Sequence, residues 1–203
     1  MSTPAEESDS SAGYSAPTVA QTFLLVDGEN IDTTLGVSLL GRRPAPEERP
    51  RWDRVLDYAR AIWDQPARGL FFLNATASVP LSFVQALTSI GYRPVMLSGP
   101  ADVKVVDVAI QRTLEALAER PDGGDALLAT HDSDFAPQLA SLLHVEGRRV
   151  GVICFRELVS SALANLEGLE LYDLEDDVGA FTVTLPRTRV IPIERFDPWT
   201  LLD

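Results

Sequence analysis

DALLATHDSDFAPQL (residues 125–139) passes from an apolar run into a helical pattern within a few residues, and the reading of that passage decides the fold. Ala126-Leu127-Leu128-Ala129 is continuous and of strand length, the pattern of a strand buried on both faces. Thr130 and His131 close it, Asp132 and Asp134 flank Ser133, and helical spacing begins at Phe135. A buried strand that feeds a helix through a short turn is one unit of a parallel α/β sheet.

The alternation repeats along the chain. Apolar runs stand at TFLLV (22–26), GLFFL (69–73), YRPVML (92–97) and RVGVICF (149–155), with a shorter run LELYDL at 169–174. Between them the spacing predicts helices over Arg51–Trp63, Val79–Ile90, Val103–Glu119, Phe135–Leu143 and near Glu157–Asn165. The pattern predicts a three-layer α/β/α sandwich with a central, mainly parallel sheet over residues 22–175. Residues 1–21 are polar and acidic and read as a disordered leader rather than a signal peptide. Residues 40–50, GRRPAPEERPR in their core, read as a loop. Residues 176–203 break the alternation with a β-rich, proline-punctuated pattern, expected to pack as an arm on the domain or on a partner, a second copy included.

With 30 acidic and 17 basic residues, net charge −13, the chain lacks the basic surface of a general nucleic-acid coat. A carboxylate site that holds a divalent cation on a nucleic-acid substrate remains compatible with that charge. No apolar run reaches the roughly 18 residues of a membrane span. The single cysteine, Cys154, lies in an apolar run and has no internal partner, which fits a reducing, cytoplasmic setting. No Walker A, GxGxxG, GxSxG or HExxH pattern occurs, and the two histidines are too few for an ordinary zinc site.

Ligands of open α/β sheets bind beyond the carboxyl ends of the strands. Asp27 follows the first run and Asp132 and Asp134 follow the fourth, so neighbouring strands would bring three carboxylates together. Asp107 falls on the apolar stripe Val103, Val106, Ile110, Leu114, Leu117 of the best helix in the sequence. Lys104, the only lysine of the chain, lies one turn before it. Asp107 therefore reads either as a buried acid that needs a cation or as half of an i,i+3 ion pair. Asp132 or Ser133 could cap the helix that begins near Phe135, Asp27-Gly28 could be a turn, and Asn30 or Asp32 could cap the helix that follows the first run. Capping alone does not account for Asp27, Asn30, Asp107, Asp132 and Asp134 meeting at one sheet end. Oxygen donors in that number suit Mg²⁺ or Mn²⁺.

LLVDGENID, KVVDVAI and ATHDSDFAPQLASLLHVEGRRVGVICF resemble, in order, the three signature blocks of the NYN domain family of PIN-like nucleases. The resemblance implies strand order 3-2-1-4-5 and a metal-dependent ribonuclease site. By motif it assigns Asp27, Asp107, Asp132 and Asp134 to Mg²⁺ or Mn²⁺, and gives Asn30 and Lys104 places beside them. RNA, single-stranded in preference, is the partner it implies. His131 stands where the family usually has a small residue, and so could narrow the site, contact substrate or do neither. The arginines at 42, 43, 49, 51 and 54 read first as part of a solvated loop and second as a guide for an RNA backbone. Two other readings compete. A PIN-like fold kept as an RNA-binding or regulatory module needs no catalysis. A haloacid-dehalogenase-type phosphatase would use Asp27 as nucleophile, but Glu29 and Ile31 stand where it wants an aspartate and a threonine or valine.

Overall fold

The computed structural model describes residues 20–76, 78–121, 123–187 and 193–202, so the expected leader, but for its last two residues, lies outside the described residues. Six strands form one sheet: β1 (Thr22–Asp27), β2 (Ala67–Asn74), β3 (Tyr92–Leu97), β4 (Asp125–Ala129), β5 (Val150–Cys154) and β6 (Glu170–Asp173). All pair in parallel, in the order β3-β2-β1-β4-β5-β6. The run at 169–174 is thus a sixth strand at the sheet edge, one more than the expected order contains.

Strand periodicity divides the core into two layers. Leu24, Val26, Leu127 and Ala129 face one side, where they meet α1 (Gly28–Thr33), α2 (Trp52–Ala61) and α3 (Leu81–Ser89). Phe23, Leu25, Ala126 and Leu128 face the other, under α4 (Val105–Glu119), α5 (Ala136–Leu143) and α6 (Ser161–Ala164). Every residue of β1, β4 and β5 is buried, which is why these runs read as continuous rather than alternating. At roughly 2–5 kcal/mol for truncating a buried leucine, Leu128→Ala would test that layer.

Several boundaries differ from the sequence expectation. Lys104 stands at the N-cap of α4, so Val103 lies outside the helix and is exposed. The helix expected near 157–165 divides into a 3-10 turn, Arg156–Leu158, and the four residues of α6. The loop around 40–50 is more ordered than its prolines suggest, with a π-helical segment Thr34–Leu40 before it and a 3-10 turn Pro46–Glu48 within it. Glu48 is buried there, accepting from both Arg42 nitrogens and from the Ala45 N–H, and the Arg42 bond holds its carboxyl down at about 2.

The C-terminal segment forms no strand among the described residues, where Pro186 and Pro198 interrupt its pattern and remove ladder donors. Its first part enters the core instead: Val178, Ala180 and Leu185 are buried with the α1–α3 layer. Arg54 donates to the Gly179 and Phe181 carbonyls, while Arg187 lies over Phe155 and pairs with Glu157 and Glu175. No helix among the described residues is long and apolar enough to cross a membrane.

Candidate functional site

The reversal of winding between β1 and β4 opens a cleft at the carboxyl edge of the sheet. Its volume is about 520 Å³, and Asp27, Glu29, Asn30, Lys104, Asp107 and Asp132 line it. Asp27 ends β1 and caps α1, accepting from the Asn30 N–H at 3.1 Å. It is the cap that sequence reading had placed at Asn30 or Asp32. Asp27 is 3% exposed, and that is the only hydrogen bond it accepts among the described residues. Burial, together with the charges of Asp107, Asp132 and Glu29, pushes its carboxyl up to about 7 from 3.8. At about 1.4 kcal/mol per decade of proton affinity, ionising Asp27 here costs roughly 4 kcal/mol more than in water.

Asp107 is half-buried on the first turn of α4. Its Oδ2 lies 3.3 Å from Lys104 Nζ, whose ammonium is held above its ordinary range by that carboxylate. Asp107 forms the i,i+3 pair with Lys104, and it also lines the cleft. Asp132 caps the 3-10 turn Ser133–Phe135 by accepting from the Asp134 N–H at 2.9 Å, and it lines the cleft as well. Asp134 does not line it. The turn rotates its side chain outward, 63% exposed, and Lys104 Nζ stands 3.9 Å from its Oδ2.

Asn30 joins β1 to β4. Its Oδ1 accepts from the His131 N–H at 2.8 Å, which leaves its amide NH₂ as the group available to a ligand. The His131 ring turns away from the acids. Its Nε2 accepts the Phe155 N–H at 2.7 Å and its ring stacks on Phe155 with centroids 5.4 Å apart. Burial lowers its pKa to about 4, so the ring is neutral with its proton on Nδ1. His131 is not among the residues that line the cleft; its place is to tie the end of β4 to the end of β5.

Four of the five loop arginines are engaged within the fold. Arg42 pairs with Glu48, Arg51 with Asp53, and Arg54 with the carbonyls of 179 and 181. Arg49 Nε lies 3.4 Å from Asp32. A mobile arginine guide is not what this segment forms.

Four polar lining residues were not among the site candidates read from sequence: Glu29, Thr33, Asn74 and Asp102. Glu29 adjoins Asp27 in the same strand-end segment. Asn74 ends β2, next to β1, so its signal was a polar residue closing a strand whose neighbour carries Asp27.

The NYN domain family model matches residues 21–174, three quarters of the chain. The chain belongs to the NYN domain family. That membership places it in the PIN-like nuclease superfamily. No curated protein matches the sequence. Among solved structures this NYN domain is similar to a protein of unknown function from Vibrio parahaemolyticus, at 18% identity and TM-score 0.61. The match covers 85% of this chain and 98% of that one, and at such identity it bears on the fold alone.

The cleft presents carboxylate oxygens, asparagine amides and one exposed ammonium, and its carboxylates are the donors that suit a hard divalent cation. A buried carboxyl facing other carboxylates keeps its proton, as Asp27 does up to about 7, or ionises beside a cation. Among the described residues no three His, Cys, Asp or Glu side chains form a ready-made cluster for a metal.

Proposed function

We propose that this NYN domain is a metal-dependent ribonuclease that hydrolyses phosphodiester bonds of single-stranded RNA at the β1–β4 cleft. The observation that carries the reading is Asp27: a buried carboxyl raised to about 7 in a cleft shared with Asp107, Asp132 and Glu29. Family membership supports the same reading, because a nuclease superfamily supplies the substrate class that the cleft's chemistry suits.

Asp27, Asp107 and Asp132 would hold Mg²⁺ or Mn²⁺, with Asp134 as an outer carboxylate that steadies Lys104. An ion held there would supply Lewis acidity toward the phosphate and toward a water nucleophile. To serve in that ligand set Asp27 would release its proton to solvent. The Asn30 amide NH₂ donates to a phosphate oxygen or to the attacking water. Lys104 offsets charge that builds on the phosphate in the transition state, with Asp107 keeping its ammonium charged and in position.

The test is cleavage of an end-labelled single-stranded RNA with Mn²⁺, with Mg²⁺ and with EDTA, beside the Asp132→Asn variant. Metal-dependent cleavage that the variant loses is the expected result. RNA binding without cleavage under any metal would make the domain a regulatory RNA-binding module instead.

A further inference from the structure

Beside the acidic cleft lies a second pocket of about 390 Å³, and Glu29 and Asn74 line both. Its walls differ in kind. Trp52, Phe71 and Phe83 form an aromatic set, with Trp52 and Phe83 both packed edge-on to Phe71 at centroid distances of 4.9 and 5.7 Å. Phe71 is fully buried and fixed from below by Tyr92, whereas Trp52 and Phe83 keep part of their surface in solvent. A Cβ built on Gly28 would stand 2.5 Å from Phe71 Cζ, so the aromatic floor reaches directly under the turn that carries Asp27 and Glu29.

The rim is polar. Arg49 and Asp32 face the pocket together, with Arg49 Nε 3.4 Å from Asp32 Oδ1. That Nε is shielded from solvent and has no hydrogen-bond partner. Arg49 Nε is thus held by the Asp32 charge without a well-formed hydrogen bond, and the rim presents a cation and an anion side by side. A flat ligand with an aromatic face and a polar edge, bearing both donors and acceptors, satisfies floor and rim at once. Nucleobases have that form, and they stack on aromatic side chains when they are not paired.

We propose that this pocket takes an unpaired nucleobase of the RNA strand whose backbone crosses the acidic cleft, an assignment that rests on the ribonuclease reading. The base lies against Trp52 and Phe83, and its edge meets Arg49 and Asp32. A base held there has left any duplex, so the pocket selects single-stranded RNA and sets a base preference next to the bond that is cut.

The test pairs intact RNA with strands of the same length in which a single nucleotide is abasic, its position moved along the strand. Each is followed for cleavage with Mn²⁺ and for binding by fluorescence anisotropy. The protein variants are Trp52→Leu and, because Trp52 also packs in the core, Ser78→Phe, which fills the pocket from its exposed rim. Loss of one particular base is expected to weaken binding and raise KM about tenfold. Ser78→Phe should do the same to intact RNA, leave the abasic strand unaffected, and keep kcat. Cleavage that ignores both the abasic site and Ser78→Phe overturns the base pocket and leaves the ribonuclease reading standing. Base-dependent binding without cleavage does the reverse. Binding that depends on neither, with no cleavage, overturns both.

Discussion

Asp27 and Asp125 sit on neighbouring strands at opposite edges of one sheet, both nearly removed from solvent, and they are treated differently. Asp125, at the amino edge, accepts from the Arg149 N–H, the Arg149 guanidinium and the Gln65 amide at 2.8–2.9 Å. Gln65 continues that network to Thr22, and Arg149 covers Trp63. Asp173, at the end of β6, is likewise satisfied by the N–H groups of Arg156, Glu175 and Asp176. Asp27 has one N–H and three acidic neighbours. Buried carboxylates in this fold are therefore compensated where they hold the chain together. At the β1–β4 cleft the carboxyl lacks that compensation, and the proton that Asp27 keeps up to about 7 takes its place.

The contrast is open to direct attack. Asp27→Asn, Asp107→Asn and Asp132→Asn should each lower kcat for RNA cleavage by roughly 10²- to 10³-fold. Asp125→Ala should leave kcat nearly unchanged at temperatures where the variant stays folded. If Asp125→Ala were as damaging to kcat, the distinction between the edges would fail.

Stability should respond in the opposite order. Asp125→Ala strands the Gln65 amide and the Arg149 N–H, and should cost about 2 kcal/mol in urea unfolding. Asp27→Asn removes a strained charge, and in EDTA it should cost nothing or raise stability by about 1 kcal/mol.

Two groups near the cleft give opposing pH dependences. Asp27 binds its proton more tightly when folded, about 7 against 3.8, so its contribution to stability is lost as pH rises through that window. His131 binds its proton less tightly when folded, about 4 against 6.5, so its contribution is lost as pH falls through that window. Between pH 4 and 6.5 the two slopes oppose each other. In EDTA, Asp27→Asn should expose a stability that rises with pH by up to about 1 kcal/mol per pH unit relative to wild type. His131→Leu should expose one that falls. Chemical denaturation across pH 4–7 distinguishes the two.

The smallest effects belong to exposed cations. Lys104→Met should lower kcat/KM roughly tenfold, because one charged contact to phosphate is lost. Arg51→Ala, whose guanidinium pairs only with the exposed Asp53 among the described residues, should stay within about 0.5 kcal/mol in stability and leave cleavage unchanged.

Much of the sheet was readable because β1, β4 and β5 are buried on both faces and announce themselves as unbroken apolar runs. β6 was less so, since an edge strand of four half-exposed residues carries little pattern. Asp27 and Asp132 could be located at strand ends, and both do line the cleft. Asp134 could not be told apart from Asp132, because whether a 3-10 or an α turn follows the strand sets which way its side chain leaves. His131 looked like part of the acidic segment, and only Phe155, 24 residues later, draws its ring aside.

The sequence by itself determined the parallel sheet, the carboxyl-edge location of the acids and the family, because apolar periodicity and strand-end residues are local properties of the chain. Only the tertiary structure decided which buried aspartate is neutralised and which is not. Arg149 reaches Asp125 across 24 residues and Gln65 across 60, while no basic side chain among the described residues bonds to Asp27. Charge compensation depends on distance in space and on shared burial, and neither quantity is written in the order of residues.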